Sequence, residues 1–174
     1  SIKNKKTALA EQFLCINGID VDSDDENGKT CLMWASENGL DQTVQRLLPT
    51  MSIAGINKRD ESGTSALMYS IKNKKTALAE QFLCINGIDV DSDDENGKTC
   101  LIWAILRGLD EIAQKLLPKL SEECINQIDN SGWNAFLYAC QKNNDKVLQG
   151  IFDRNSICKF DFNFQEKRGY TGFI

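Results

Sequence analysis

Apolar residues recur along this chain in short bursts at helical spacing. Leu32 and Ala35 form one burst, followed by Leu67 and Ile71, then Leu101, Ala104 and Ile105, then Phe136, Ala139 and Cys140. Each set falls three or four residues apart, the signature of one buried face of an α-helix. A second burst follows each first: Val44, Leu47 and Leu48; Leu78, Phe82 and Leu83; Ile112, Leu116 and Leu117; Val147, Ile151 and Phe152. The pattern therefore predicts pairs of short helices. The polar residues between the bursts are turn formers. Asp25, Asp60, Asp94 and Asp129 each precede a glycine by three, and two residues after that glycine stand Thr30, Ser65, Thr99 and Asn134. Glycine admits the positive φ of a tight turn, and Ser, Thr and Asn are strong helix N-caps. Each first helix is thus expected to start directly after its turn. Gly39 and Gly108 should stop two of them, and Pro49 and Pro118 should end the second helices.

The unit repeats. Residues 1–32 recur without change at 70–101. A shorter period of about 35 residues lies inside that long one, as the D-x-x-G-x-[TSN] turns show, and periods of this size mark stacked repeat architectures. One helix pair cannot bury its apolar faces alone, so neighbours must stack. The frame divides the chain into repeats at about 25–59, 60–93, 94–128 and 129–163, with partial repeats at 1–24 and 164–174. Both ends interrupt a unit, and the expectation is that the protein continues on both sides as part of a longer chain or larger complex.

Composition narrows the chemistry. The chain has 174 residues and no histidine, which removes histidine bases, Ser-His and Cys-His catalysis and histidine metal ligands. Seven cysteines, none in C-x-x-C spacing, offer no zinc set, so no metal and no cofactor is expected. Cys15, Cys84 and Cys140 sit among apolar residues and read as small buried hydrophobes. The odd cysteine count and the absence of a glycosylation acceptor point to a reducing, cytoplasmic compartment, the cytoskeleton included. A formal charge of −5 is a poor match for a nucleic-acid backbone, and no apolar run is long enough to span a bilayer. No nucleic-acid partner and no membrane insertion are expected. The acidic stretch from Asp20 to Gly28, and its recurrence from Asp89 to Gly97, look calcium-like but lack the glycine and glutamate of an EF-hand loop at the required places. They read as inter-repeat loops.

Residues 25–39, DENGKTCLMWASENG, and 94–108 resemble the ankyrin repeat, whose pattern runs D-x-x-G-x-T-P-L-H-x-A-A-x-x-G-H and closes on G-A-D-V-N. Gly18 to Asp22 and Gly87 to Asp91 match that closing segment. The resemblance covers essentially the whole chain and implies an all-α solenoid of stacked helix-turn-helix units with finger-like turns. It also implies a non-catalytic scaffold that binds a protein partner through its concave face. The family's proline is replaced by Cys31, Ala66, Cys100 and Ala135. Its histidine, which ties neighbouring turns, is replaced by Met33, Met68, Ile102 and Leu137, so apolar packing is expected to substitute. Carried over by position, the partner-binding face includes Glu37, Asn38, Lys72, Asn73, Lys98, Leu106, Arg107, Trp133, Gln141 and Lys142. Leu106, Arg107 and Trp133 are its least solvent-like members and the expected hot spot, with Trp133 at an exposed finger tip. Trp34, Tyr69, Trp103 and Tyr138 occupy one position in four successive repeats and read as inter-repeat packing. The run from Lys72 to Lys75, with Lys3 to Lys6, reads as solvated helix ends, or as an anchor for an acidic partner segment. Two other roles fit the pattern: a structural subunit or spacer in a large assembly, and the binding arm of an enzyme or channel whose other domains lie elsewhere.

Overall fold

A computed structural model describes residues 20–155. Within them the chain forms helix pairs in two layers. The inner layer comprises α1 (Cys31–Asn38), α4 (Ala66–Lys72), α6 (Cys100–Arg107) and α9 (Ala135–Gln141). The outer layer comprises α2 (Asp41–Leu47), α5 (Thr76–Leu83), α7 (Asp110–Leu116) and α10 (Asp145–Asn155). Each inner helix packs on its own outer partner and on the inner helix of the next level, α1 on α4, α4 on α6 and α6 on α9. The architecture is the all-α solenoid of stacked helix pairs that the repeat pattern implies. Cys15 and the run from Lys3 to Lys6 lie outside the described residues, as do nearly all of the two partial repeats.

The inner helices start where the turn chemistry dictates. Thr30, Ser65 and Thr99 each accept the backbone N–H three residues on at 3.3 Å, and Asn134 does so at 3.0 Å. A bonded cap of this kind is worth about 1 kcal/mol. Gly39 (φ 66°) and Gly108 (φ 69°) end α1 and α6 in the left-handed region. The other two inner helices reach the same turn without glycine: Lys74 and Asn143 take φ of 55° and 50°.

The core lies between the layers. Leu32, Met33, Leu67, Met68, Leu101 and Ile102 are at most 1% exposed. Met33, Met68, Ile102 and Leu137, the residues in the family's histidine position, are all buried, so apolar packing does fill that place.

Three details depart from the sequence expectation. Pro49 and Pro118 end α-helical bonding but not the helical path, since Leu48–Thr50 and Leu117–Lys119 continue as 3-10 turns with the proline in their first turn. Proline's fixed φ suits such a turn and only its missing N–H is lost. The loops that follow carry short helices, α3 (Ile53–Ile56) and α8 (Glu122–Asn126), capped by Ser52 and Ser121. Finally, Cys84 is exposed rather than buried, and Cys140 only half-buried, because they fall at helix C-terminal positions that turn toward the surface.

Candidate functional site

The finger turns and the inner helices make up the side of the stack on which the binding residues are expected. Each finger is organised by its aspartate. The Asp25 carboxylate accepts the backbone N–H groups of Asn27 and Lys29, both at 3.0 Å. Asp60 accepts those of Ser62 and Thr64 at 3.0 and 2.9 Å, Asp94 those of Asn96 and Lys98 at 3.0 Å, and Asp129 those of Ser131 and Trp133 at 2.9 and 3.0 Å. Successive fingers join edge to edge, with Glu61 N–H donating to Asn27 O, Glu95 to Ser62 O and Asn130 to Asn96 O at 2.8–3.0 Å.

The second oxygen of each aspartate receives the aromatic residue nine positions on. Trp34 and Trp103 donate their indole N–H to Asp25 and Asp94 at 3.0 and 2.9 Å, and Tyr69 and Tyr138 donate their hydroxyls to Asp60 and Asp129 at 2.7 Å. The aromatic ladder is therefore not simply core. Trp34 is 48% exposed, Tyr69 and Trp103 are half-buried, and Tyr138 is 9% exposed. Each ring pins its own finger to the inner helix. The pattern is legible in hindsight as an aspartate and an N–H- or O–H-bearing aromatic at constant spacing in all four units.

Lysines thread between these levels. The Lys29 ammonium lies 3.8 Å from the centre of the Trp34 ring and 4.1 Å from that of Tyr69, and pairs with Glu37 at 2.6 Å. Lys72 reaches across to Asp94 at 2.9 Å beside the Trp103 ring. Lys98 reaches across to Asp129 at 2.6 Å beside Tyr138. At the fourth level Trp133 stands where the lysine would be, its ring centre 5.2 Å from that of Tyr138.

These contacts set the titration of the face. Lys29 N–H, then Trp34, lower the Asp25 carboxyl. Burial alone would raise Asp60, Asp94 and Asp129. It is outweighed by Tyr69 and Ser62 at Asp60, by Lys72 and Trp103 at Asp94, and by Lys98 and Tyr138 at Asp129, and all three stay below the ordinary carboxylate range. Burial and the accepting carboxylate push the Tyr69 and Tyr138 hydroxyls up.

The ten expected binding residues fall in different settings. Glu37, Lys72 and Lys98 are engaged in the ion pairs above. Asn38 and Asn73 are exposed and donate their amides to the carbonyls of Trp34 and Tyr69, one helical turn back. Gln141 and Lys142 are exposed at the end of α9. Leu106, half-buried, and Arg107, exposed over the Trp103 ring at 5.1 Å, line a groove with Lys142. Trp133 is half-buried on Tyr138 rather than a bare finger tip, and it is not among the groove's lining residues. The acidic loops spend their carboxylates inside the chain, Asp22 on Ser52 at 2.7 Å and Asp24 on Lys58 at 2.9 Å. Among the described residues no group of side chains is arranged to hold a metal ion, and no helix is long and apolar enough to cross a membrane.

A family model of ankyrin repeats in three copies matches residues 1–94 and again 70–165. The chain belongs to the ankyrin-repeat family. It is similar to mouse rabankyrin-5, 28% identical over 154 residues, covering 82% of this chain and 13% of that protein. It is also similar to the ankyrin repeat-containing protein C6C3.08 of Schizosaccharomyces pombe, 31% identical over 122 residues, covering 69% of this chain and 52% of that one. The chain thus spans about half of one relative and a small part of the other. Among solved structures it resembles a chain of the complex between the predatory endopeptidase Bd0816 of Bdellovibrio bacteriovorus and immunity protein Bd3460. The TM-score is 0.75 with 24% identity, covering 95% of this chain and 82% of that one. At that identity the likeness speaks to the fold.

Proposed function

We propose that this chain is a non-catalytic protein-binding scaffold that takes its partner on the concave face formed by the finger turns and inner helices. The observation that carries this reading is the aromatic ladder. Four rings stand in register on one face, hydrogen-bonded to the finger aspartates; Trp34 is the most exposed, Tyr69 and Trp103 are half-buried and Tyr138 is buried. Rigid aromatic area held in one geometry is what interface hot spots are made of. The fingers are preorganised by hydrogen bonds that need no partner, so little ordering cost is left to binding. Free thiols at Cys31, Cys84, Cys100, Cys124 and Cys140 support a reducing, cytoplasmic setting.

A second reading is that the chain is the binding arm or spacer of a larger protein, and the small share of rabankyrin-5 that it spans supports this. Both readings use the same face. Affinity capture with wild-type chain and with the Trp133→Ala/Arg107→Glu variant tests it. The double variant should recover the same partner several-fold less well, and equal recovery would sink the concave face as the binding surface.

A further inference from the structure

At the end of the inner helices away from the fingers, two equivalent junctions are built differently. Both begin at a left-handed glycine, Gly39 at the end of α1 and Gly108 at the end of α6. Above Gly39 the space is occupied: side-chain carbons of Lys75, from the next level, lie 2.8 Å from where a Cβ would stand. Above Gly108 nothing lies within 4 Å of that point. The residue that matches Lys75 one long period later is Asn144. Its side chain is shorter: it donates to Asp110 Oδ1 of the preceding level at 2.7 Å and accepts Val147 N–H at 3.1 Å, and it does not come within 4 Å of the point above Gly108. The result is a groove of about 550 Å³, lined among others by Leu106, Arg107, Gly108, Lys142 and Lys146.

The chemistry of the lining also changes between the junctions. At the upper two levels the position that closes the inner helix, its last residue or the one just after, holds Asn38 and Asn73, whose amides are spent on their own helices. At the lower two it holds the cations Arg107 and Lys142, both exposed. Lys29, Lys72 and Lys98 are already committed to carboxylates of this chain. Among the described residues, Arg107 and Lys142 carry no such commitment, and the Arg107 guanidinium carbon lies over the Trp103 ring, 5.1 Å from its centre. Of the lining carboxylates, Asp110 is engaged by Asn144, and Asp145 opens α10, where the helix N-terminus offsets its charge. In a chain whose formal charge is −5, this groove is locally cationic.

We propose that the groove is a subsite for an acidic segment of the protein partner, with a carboxylate side chain received between Arg107 and Lys142 and a neighbouring aliphatic side chain laid on Leu106. The inference rests on the concave-face reading and deepens it. A guanidinium placed over a ring keeps its fork of N–H donors free for a carboxylate, which it can meet with two parallel bonds. Leu106 supplies the apolar area that a purely electrostatic contact would lack.

The test is a titration of the ¹⁵N-labelled 174-residue chain with an end-capped peptide of alternating Glu and Leu, and with its Lys-Leu counterpart. Saturable shifts at the Gly108 amide and at Arg107 and Lys142 are expected with the acidic peptide alone. Asn144→Lys should rebuild the plug that Lys75 provides above Gly39, and Arg107→Glu/Lys142→Glu should reverse the charge. Each should weaken binding by about tenfold or more while the amide spectrum stays folded. No shift at Gly108 in the folded wild type, undiminished affinity in either variant, or equal binding of the basic peptide overturns the proposal. Shifts confined to the Trp34 and Trp133 indoles would remove the groove and leave the concave-face reading standing. A partner that protects only the outer-layer residues would remove both.

Discussion

Residues 20–32 and 89–101 have the same sequence and occupy different places in the solenoid. Their backbones agree closely. Gly28 and Gly97 share a φ of 72°, Asp24 bridges Thr30 as Asp93 bridges Thr99, and both threonines cap at 3.3 Å. Their surroundings do not agree. Cys31 is exposed and Cys100 fully buried; Asp25 is exposed and Asp94 is 4% exposed with Lys72 against it; Val21 is half-buried and Val90 buried. Cys100 has a described helix pair on either side, whereas Cys31 opens the first described helix. The finger and cap are thus local properties that a segment carries with it. Burial, charge partner and reactivity belong to the neighbours.

The largest contrast should be between the two thiols. Burial pushes the Cys100 thiol up to about 12, so almost none of it is thiolate at neutral pH, and it is closed to reagent as well. Iodoacetamide on the native chain should modify Cys31 at least about a hundredfold faster than Cys100, since both thiolate fraction and access differ. The following residues, Met33 and Ile102, distinguish the two peptides by mass. Similar rates would mean that the levels do not stay closed around Cys100.

Next come the finger aspartates. Asp94→Ala strands two backbone N–H groups, the Trp103 indole and the Lys72 ammonium, and should cost roughly 2–4 kcal/mol in urea unfolding. Asp25→Ala removes the same turn bonds at an exposed position, where water replaces them, and should cost much less. Equal losses would show that the turn alone, and not its burial between levels, sets the cost.

How much of this was readable in the chain divides along the same line. The caps, the turn glycines and the apolar face of each helix follow from residues within a few positions of one another, and all were legible. The aspartate–aromatic bond was present as a constant nine-residue interval. However, hydrogen-bonding aromatics on a helix look like core until the turn is folded against them. Lys72 and Lys98 read as candidate binding cations because their partners, Asp94 and Asp129, are a whole unit away. The groove was hidden altogether. It depends on what Asn144 does not reach, and a side chain's reach across levels cannot be inferred from its own neighbours in sequence.

Acid titration is a smaller lever on the same hubs. Asp60, Asp94 and Asp129 are held below the ordinary carboxylate value when folded. Their contribution to stability is therefore complete above the unfolded value, about 4, and is lost as pH falls through the lowered folded values. Stability should be flat from neutral pH down to about 5 and drop below about 4. Asp94→Asn should make that acid limb shallower, by up to about one proton. An unchanged limb would mean that Asp94 titrates alike in both states.

The smallest effect distinguishes two lysines with the same flanking sequence. Lys29 pairs with Glu37, eight residues on in its own unit, and Lys98 pairs with Asp129 in the next unit. The cause lies just beyond the shared segment, where Glu37 is replaced by Leu106 and Lys98 has no carboxylate at that place. The two pairs should differ in strength because their acceptors differ in burial: the Glu37 side chain is 33% exposed and that of Asp129 is 0%. Double-mutant cycles should give a coupling of about 0.5–1 kcal/mol for Lys29–Glu37 and about 2 kcal/mol for Lys98–Asp129. Part of the second figure is the cost of leaving Asp129 buried without its cation, which is why it exceeds the first. Replacing Glu37 with leucine makes the first site resemble the second, yet Asp60 already has the Tyr69 hydroxyl and the Ser62 hydroxyl against its carboxylate. Lys29 would then keep only the two rings that sandwich it. Equal couplings in the two cycles would show that pair strength travels with the lysine's own segment, as the turn and cap do, and would move the ion pairs to the local side of the comparison.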